Sequence, residues 1–260
     1  MKIITLATVT LFCGLQALGA ADSPKKPSLS KYQSFMKSQG GMLIKPDSMK
    51  GKALIYNAQK SATSSNIAVV ARRLSRDMRM NFVAEDGSLD GVNGDWKTLR
   101  ESKGASAIVI VAETGSTPSL LVAPDERWAV INVSKLGEGL TTDEAKAKFI
   151  PGRVTRQIYR AFALLGGSGK PRNESPSTVR NLNELDLSRE ALPMDTLQQL
   201  AYQLEGHGMS REVHATYKQA CMQGWAPQPT NEFQKAIWDK VHEIPTKPLK
   251  IEFDPKTDTK

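Results

Sequence analysis

The sequence predicts an α/β protein in which helices pack on a mixed sheet and the C-terminal portion is helical. The run 107–112 is continuously apolar, which is typical of a strand covered by helices on both faces. Shorter apolar runs at 53–56, 120–123 and 128–133 predict further strands. From about residue 195, capping residues precede amphipathic stretches, and this pattern predicts the helical C-terminal portion.

The amino-terminal residues predict that the protein is exported. Lys2 precedes the apolar run 3–18, which is shorter than a comfortable membrane span. Small residues at 19–21 follow it and suit signal-peptidase cleavage. We therefore expect residues 1–21 to be a signal peptide, cleaved near 19–21, that delivers the mature chain to the periplasm or the exterior. A retained membrane anchor is the alternative, and no transmembrane segment is expected in the mature chain.

Composition divides the mature chain into a leader and one domain. Residues 22–51 are polar and basic, and residues 52–260 are expected to form a single α/β domain. The whole sequence has a net charge of +8. The lysine-rich leader could attach the protein to an anionic envelope ligand, although a solvated tether explains the same composition. It lacks the aromatic interleaving of single-strand binding grooves, so nucleic acid is not expected as a partner.

Cysteine and histidine are too scarce to indicate a metal centre or a nucleophile. Cys13 lies in the expected signal peptide, so Cys221 is the single cysteine of the mature chain and is expected to be a buried small side chain. The three histidines are His207, His214 and His242; a zinc pair of His207 and His214 is conceivable, but Gly208 and the expected cap Ser210 separate them. No metal ligand or cofactor is therefore expected. A hydrolase that uses Cys221 or a histidine at a site that no motif reveals is the enzymatic alternative.

Caps, turns and prolines set the expected limits of the helices in the first part of the domain. A helix is expected over 67–80, after three capping residues. The stretch 124–127 is expected to form a hairpin turn. Another helix should begin near Thr142, and Pro151 is expected to separate it from a helix over 153–167.

Three helices are expected to close the chain after the polar connection 170–183. Each of them follows a capping side chain. The expected caps and helices are Asp195 with 196–205, Ser210 with 211–223, and Asn231 with 232–243.

The helix expected over 153–167 has the most informative pattern in the chain. Val154, Ile158 and Phe162 recur at helical spacing and form one apolar stripe, while arginines form a basic stripe on another face. A glycine pair then ends the helix. A core-facing amphipathic helix is the first interpretation, and it requires no chemistry.

Residues 159–167, Tyr-Arg-Ala-Phe-Ala-Leu-Leu-Gly-Gly, also resemble the metzincin zinc-protease helix, His-Glu-x-x-His-x-x-Gly. In that pattern two histidines one turn apart bind zinc, and the glutamate is the general base. The resemblance places Tyr159 and Ala163 at the histidine positions and Arg160 at the glutamate position. A methyl group cannot coordinate a metal, and a guanidinium cannot accept a proton.

Two further positions complete the resemblance. Gly166 matches the glycine of the pattern, and Gly169 stands where the third zinc ligand would be. Met194 stands where metzincins place their Met-turn, and the order of elements over roughly 52–194 is similar to the archaemetzincin group. The cysteine-rich zinc site of that group is missing from this sequence.

The resemblance implies a metzincin-like scaffold without zinc ligands, on which zinc-protease activity is disfavoured and no catalytic residue is assigned. Its cleft would be lined by Tyr159, Arg160 and Ala163, where the ring and the guanidinium would hold an anionic or peptide ligand. The sequence therefore predicts an exported, non-catalytic binding or structural protein. Its partner would be a protein, a peptide or an anionic envelope ligand.

Overall fold

In the computed structural model of the protein, the described residues are 29–58, 64–115, 117–168 and 181–243. They pack into two compact units. The larger unit holds Leu43–Ala215 and Gln223–Ala226, and the smaller unit holds the described residues up to Met42, Thr216–Met222 and those from Pro227 onwards. The sequence predicts one domain from residue 52, whereas the smaller unit draws on residues from both sides of that boundary.

Strands and helices alternate between residues 53 and 112, and the described chain is mostly helical after residue 132. The strands are β1 (Met42–Ile44), β2 (Ala53–Asn57), β3 (Phe82–Asp86), β4 (Ala107–Ala112), β5 (Leu120–Ala123), β6 (Trp128–Asn132) and β7 (His214–Thr216). The helices are α1 (Leu29–Ser38), α2 (Ser64–Met78), α3 (Trp96–Ser102), α4 (Val133–Leu136), α5 (Asp143–Leu165), α6 (Leu182–Leu187), α7 (Met194–Gly206), α8 (Tyr217–Met222) and α9 (Glu232–His242).

A five-stranded mixed sheet forms the centre of the larger unit, in the spatial order β3-β2-β4-β6-β5. The first four strands in that order are parallel, and β5 runs antiparallel to β6 at one edge. All six residues of the central strand β4 are buried, which confirms the strand expected from the apolar run 107–112. The mixed sheet with packed helices confirms the predicted fold class.

Apolar side chains cover both faces of this sheet. On one face, Leu74 of α2, Phe162 of α5 and Leu200 of α7 are fully buried in the main core. The Phe162 ring packs edge-on against Phe82 of β3, with ring centroids 5.2 Å apart. On the other face, Leu99 of α3 packs in a second core. Helices on both faces explain why β4 has no polar alternation.

The helix α5 continues through Pro151, so the prediction of two separate helices is wrong. Thr142 is the N-cap as expected, and its hydroxyl accepts a hydrogen bond from the Ala145 amide at 3.1 Å. Proline removes one helical hydrogen bond. Directly after it, the buried Arg153 donates from Nη1 to the Leu136 carbonyl at 2.6 Å. Packing and these side-chain hydrogen bonds therefore hold the helix together across the proline.

The prediction of a helix over 211–223 is also wrong, because the structure has β7 and only the short helix α8 in this stretch. Ser210 does not cap a helix. Its hydroxyl donates to the Ser48 carbonyl and accepts from the Lys50 amide, so it fastens two distant segments together. The cap at Asn231 is confirmed, since its side chain accepts from the Gln234 amide at 3.0 Å.

The remaining cap, Asp195, lies inside the first turn of α7, which begins at Met194 after Pro193. A carboxylate in the first turn is favourable because it faces the positive end of the helix dipole. The expected helix is therefore present, although its start lies earlier than predicted.

The smaller unit consists of α1, α8 and α9 with their connections. Tyr217 is fully buried there and donates from its hydroxyl to the Pro227 carbonyl at 2.9 Å. Burial raises the pKa of Tyr217 to about 12, with a further contribution from Cys221. Cys221 is itself buried, and this burial raises the pKa of its thiol. A raised pKa leaves little thiolate, which fits the expected role as a small buried side chain.

Two other expectations concern the amino-terminal part of the chain. The described part of the expected leader 22–51 contains α1 and β1, so it has regular structure. The expected signal peptide 1–21 lies outside the described residues. Within the described ranges, no helix is both long enough and apolar enough to span a membrane.

Candidate functional site

Two of the residues expected to line a cleft, Tyr159 and Ala163, lie in the packed core. Their exposed fractions are 2% and 0%, and both belong to the cluster between the sheet and the helices. Val154, Ile158 and Phe162 are buried beside them, each with 0% exposure. The apolar stripe of α5 therefore faces the core, as the first interpretation of this helix predicts.

Arg160 lies on a different side of α5 from Tyr159. It interacts with the carboxylate of Glu184 in α6, and burial lowers the pKa of its guanidinium. The Tyr159 hydroxyl instead lies near Arg73 of α2. The structure consequently does not bring the aromatic ring and the guanidinium of the expected cleft together.

The glycine and methionine positions also have structural explanations. A β-carbon added at Gly166 would lie 2.8 Å from the Cα of Leu200, so this glycine permits close packing of α5 against α7. Met194 is 67% exposed at the start of α7. Gly169 lies outside the described residues. The roles of these residues in ligand binding stay predictions.

A polar groove, here called the α2–α5 groove, lies between those two helices and encloses about 300 Å³. It is lined from α2, from the turn of α5 around Pro151, and from the segment after α6. The lining residues are Asn66, Val69, Val70, Arg73, Lys148, Pro151, Gly152, Thr155 and Glu190. Sequence reasoning missed this groove, because its walls come from three distant segments.

Glu190 holds the polar side of the α2–α5 groove together. Its carbonyl accepts a hydrogen bond from Arg73 Nη1 at 3.1 Å. Its carboxylate forms an ion pair with Arg156 at 3.3 Å, and Arg156 also donates from Nε to the Ser188 carbonyl at 3.0 Å. Lys148 contributes another positive charge, and its ammonium lies over the ring of Phe149. Positive charge therefore exceeds negative charge along this groove.

The Tyr159 hydroxyl is the most unusual polar group next to the groove. It is buried and forms no hydrogen bond of normal geometry with the described part of the chain. Burial raises its pKa, while the nearby positive charge of Arg73 and a weak hydrogen bond with Arg73 oppose that rise. A buried hydroxyl with only a weak partner costs free energy. The Tyr159 hydroxyl nevertheless belongs to the core and does not line the groove.

Tyr159→Phe should leave the free energy of unfolding within about 1 kcal/mol of the original value, because only a weak contact with Arg73 is lost. Chemical denaturation of the purified protein measures this change. Tyr217→Phe is the matched control, because it removes the hydrogen bond to Pro227 and should cost about 1 kcal/mol. Equal destabilisation by the two substitutions would show that the Tyr159 hydroxyl has a partner.

Among the described residues, no group of three or more histidine, cysteine, aspartate or glutamate side chains is arranged to hold a metal ion. His214 pairs with Glu212 at 3.0 Å, and His242 stacks on Trp238 with ring centroids 4.2 Å apart. Both histidines thus have local structural contacts.

No protein-family model matches the sequence, and no curated protein matches it either. Among solved structures, the chain is similar to a zinc-dependent peptidase from Methanocorpusculum labreanum, with 15% identity and a TM-score of 0.42. That match covers 58% of this chain and 100% of the other. It is also similar to archaemetzincin from Methanopyrus kandleri, with 14% identity, a TM-score of 0.46, and coverage of 63% and 99%. The chain resembles these two structures weakly, and neither an activity nor a ligand follows from that likeness.

Proposed function

We propose that this chain is an exported, non-catalytic binding protein on a metzincin-like scaffold, and that its ligand is an acidic segment of a protein partner. The observation that carries the proposal is the burial of Tyr159 and Ala163, at 2% and 0% exposure. Side chains at these positions are committed to core packing and have no open space for a reacting substrate.

The α2–α5 groove supports the binding part of the proposal. Its volume of about 300 Å³ suits one or two amino-acid side chains. Val69 and Pro151 supply apolar contact, while Arg73 and Lys148 supply positive charge. A guanidinium and an ammonium favour a carboxylate ligand.

The test uses short acetylated peptides that contain glutamate, together with the same peptides containing glutamine. We expect the acidic peptides to bind and to shift the backbone NMR signals of Val69, Arg73 and Thr155. Arg73→Gln should weaken this binding at least about tenfold, because it removes a charge-assisted hydrogen bond. Arg72→Gln is the matched control, since Arg72 is an exposed neighbour outside the groove.

Three outcomes would contradict the proposal. Equal binding of the glutamine peptides would remove the role of charge, and equal weakening by both arginine substitutions would remove the role of the groove. Zinc at about one ion per chain in the purified protein, accompanied by peptidase activity that a chelator abolishes, would overturn the non-catalytic assignment.

A further inference from the structure

A second group of basic side chains lies at the amino-terminal ends of the parallel strands. The Arg127 carbonyl accepts from the Ile108 amide at 3.0 Å, which places Arg127 beside the start of β4. Arg100 of α3 donates from Nη1 to the Ala105 carbonyl at 3.3 Å, just before the same strand. The two arginines therefore flank the beginnings of the neighbouring strands β4 and β6.

His207 joins these arginines from the end of α7. A β-carbon added at Gly51 would lie 2.9 Å from the Gly208 carbonyl oxygen, so the turn after α7 packs against the segment that enters β2. That segment lies next to β4, because the Lys52 carbonyl accepts from the Ser106 amide at 2.8 Å. The end of the sheet where the parallel strands begin thus brings three basic residues together. They are here called the basic cluster: Arg100, Arg127 and His207.

The basic cluster has little negative charge to balance it. Arg100 is only 5% exposed, and its Nη2 pairs with Glu101 at 2.9 Å. Its Nε is buried and has no hydrogen-bond acceptor among the residues that the structure describes. Burial and the charge of Arg100 lower the pKa of Arg127, while Glu101 opposes this effect. Glu101 is therefore the carboxylate that interacts with both guanidinium groups, whereas Glu126, next to Arg127, accepts a hydrogen bond from Trp128 Nε1 at 2.5 Å.

The pKa of His207 responds to the same excess of positive charge. Burial lowers its pKa, and the charges of Arg127 and then Arg100 lower it further. On its own helix, Glu205 is held by Arg211 at 2.6 Å. A bound anion would relieve the repulsion among the cationic groups and accept the unpaired Arg100 N–H.

We propose that Arg100, Arg127 and His207 form a binding site for an oxyanion of the phosphate or sulfate type. Planar guanidinium groups match the spacing of such oxygens and can contact two of them at once. None of these residues lines the α2–α5 groove, so this site is independent of the proposed peptide site.

Inorganic phosphate is the probe, and the imidazole signals of the protein report where it binds. His207, His214 and His242 are the only histidines of the sequence, so each signal can be followed by NMR during a pH titration. We expect phosphate to raise the pKa of His207 alone and to saturate. The sign follows because the anion stabilises the charged imidazolium relative to the neutral imidazole.

The chain offers a closely matched pair of variants. Arg127 has a φ of 63°, a backbone conformation that glycine adopts without strain, so Arg127→Gly removes the side chain and keeps the turn. Arg79 is exposed and has a φ of 54°, which makes Arg79→Gly the control with the same charge loss. Arg127→Gly should weaken phosphate binding at least about tenfold, and Arg79→Gly should leave it unchanged.

Several results would contradict the proposed oxyanion site. Equal weakening by both glycine variants would indicate general electrostatic attraction. Equal changes in the pKa of all three histidines would indicate screening by salt. An effect of acetate equal to that of phosphate at the same ionic strength would exclude preference for a phosphate-type oxyanion.

Discussion

Replacing Arg153 with alanine should lower the free energy of unfolding by about 3–5 kcal/mol, because it leaves a buried network without its cation. Arg153 is 4% exposed. It contacts the Asp186 carboxylate through two nitrogens, with Nε at 2.9 Å from Oδ1 and Nη2 at 2.7 Å from Oδ2. The remaining nitrogen, Nη1, donates to the carbonyls of Leu136 and Glu138 at 2.6 and 3.3 Å.

The size of this effect comes from what the substitution leaves behind. Asp186 keeps its charge with only 26% of its side chain exposed, and the carbonyl of Leu136 loses a buried donor. Unpaired buried groups cost more than the net gain of the pair itself. The contact also joins α5 to α4 and α6, so its loss should loosen the helix just after Pro151.

Urea denaturation monitored by circular dichroism measures the change. Arg156→Ala is the matched control on the same helix, since Arg156 pairs with the 42%-exposed side chain of Glu190. This partly exposed ion pair contributes little, and the lost hydrogen bond to the Ser188 carbonyl adds about 1 kcal/mol, so this control should cost about 1–2 kcal/mol. If Arg153→Ala is no more destabilising than Arg156→Ala, the Arg153 network does not anchor α5.

Much of the fold follows from local patterns that tertiary packing does not override. The run 107–112 is buried on both faces, and its uniform apolarity indicates this directly. Asn231 caps α9 through its own side chain, which needs only neighbouring residues. In contrast, β3 is missed because its sequence, Phe-Val-Ala-Glu-Asp, is neither uniformly apolar nor alternating. Its parallel pairing with β2, rather than its composition, makes it a strand.

Local patterns fail where a distant segment decides the outcome. Pro151 predicts a break, but the contacts of Arg153 with α4 and α6 stabilise the helix beyond it. Ser210 is a good capping residue, yet Ser48 and Lys50 use its hydroxyl. In both cases the deciding partner is far away in the sequence, so neither composition nor periodicity reveals it.

The candidate site likewise combines a feature that a local pattern indicates with features that distant segments decide. The sequence pattern draws attention to α5, but it cannot show which side chains of that helix face an opening. Tyr159 and Arg160 are neighbours in sequence and face α2 and α6 respectively. Arg73 and Glu190 complete the α2–α5 groove from other parts of the chain. Their approach depends on the packing of α2 against α5.

Gly166→Ala should lower the free energy of unfolding by about 1–3 kcal/mol, because the added methyl group overpacks the contact between α5 and α7. The new carbon would lie 2.8 Å from the Cα and 3.0 Å from the Cβ of Leu200. The nearest atom belongs to the backbone of a helix, so no side-chain rotation relieves the contact. Backbone strain is not the cause, since Gly166 has a φ of −78° that alanine readily adopts.

The matched control is Gly206→Ala at the end of α7, where a β-carbon meets no atom within 4 Å. That substitution should be neutral or stabilising by up to about 1 kcal/mol, because alanine favours the helix. Thermal and urea denaturation of both variants measure the difference. Equal stability of the two variants would mean that α5 and α7 can move apart without lowering the free energy of unfolding. A loss of stability in Gly166→Ala alone would show that close packing of the two helices requires glycine at this position. The match of Gly166 to the metzincin pattern would then need no zinc site to explain it.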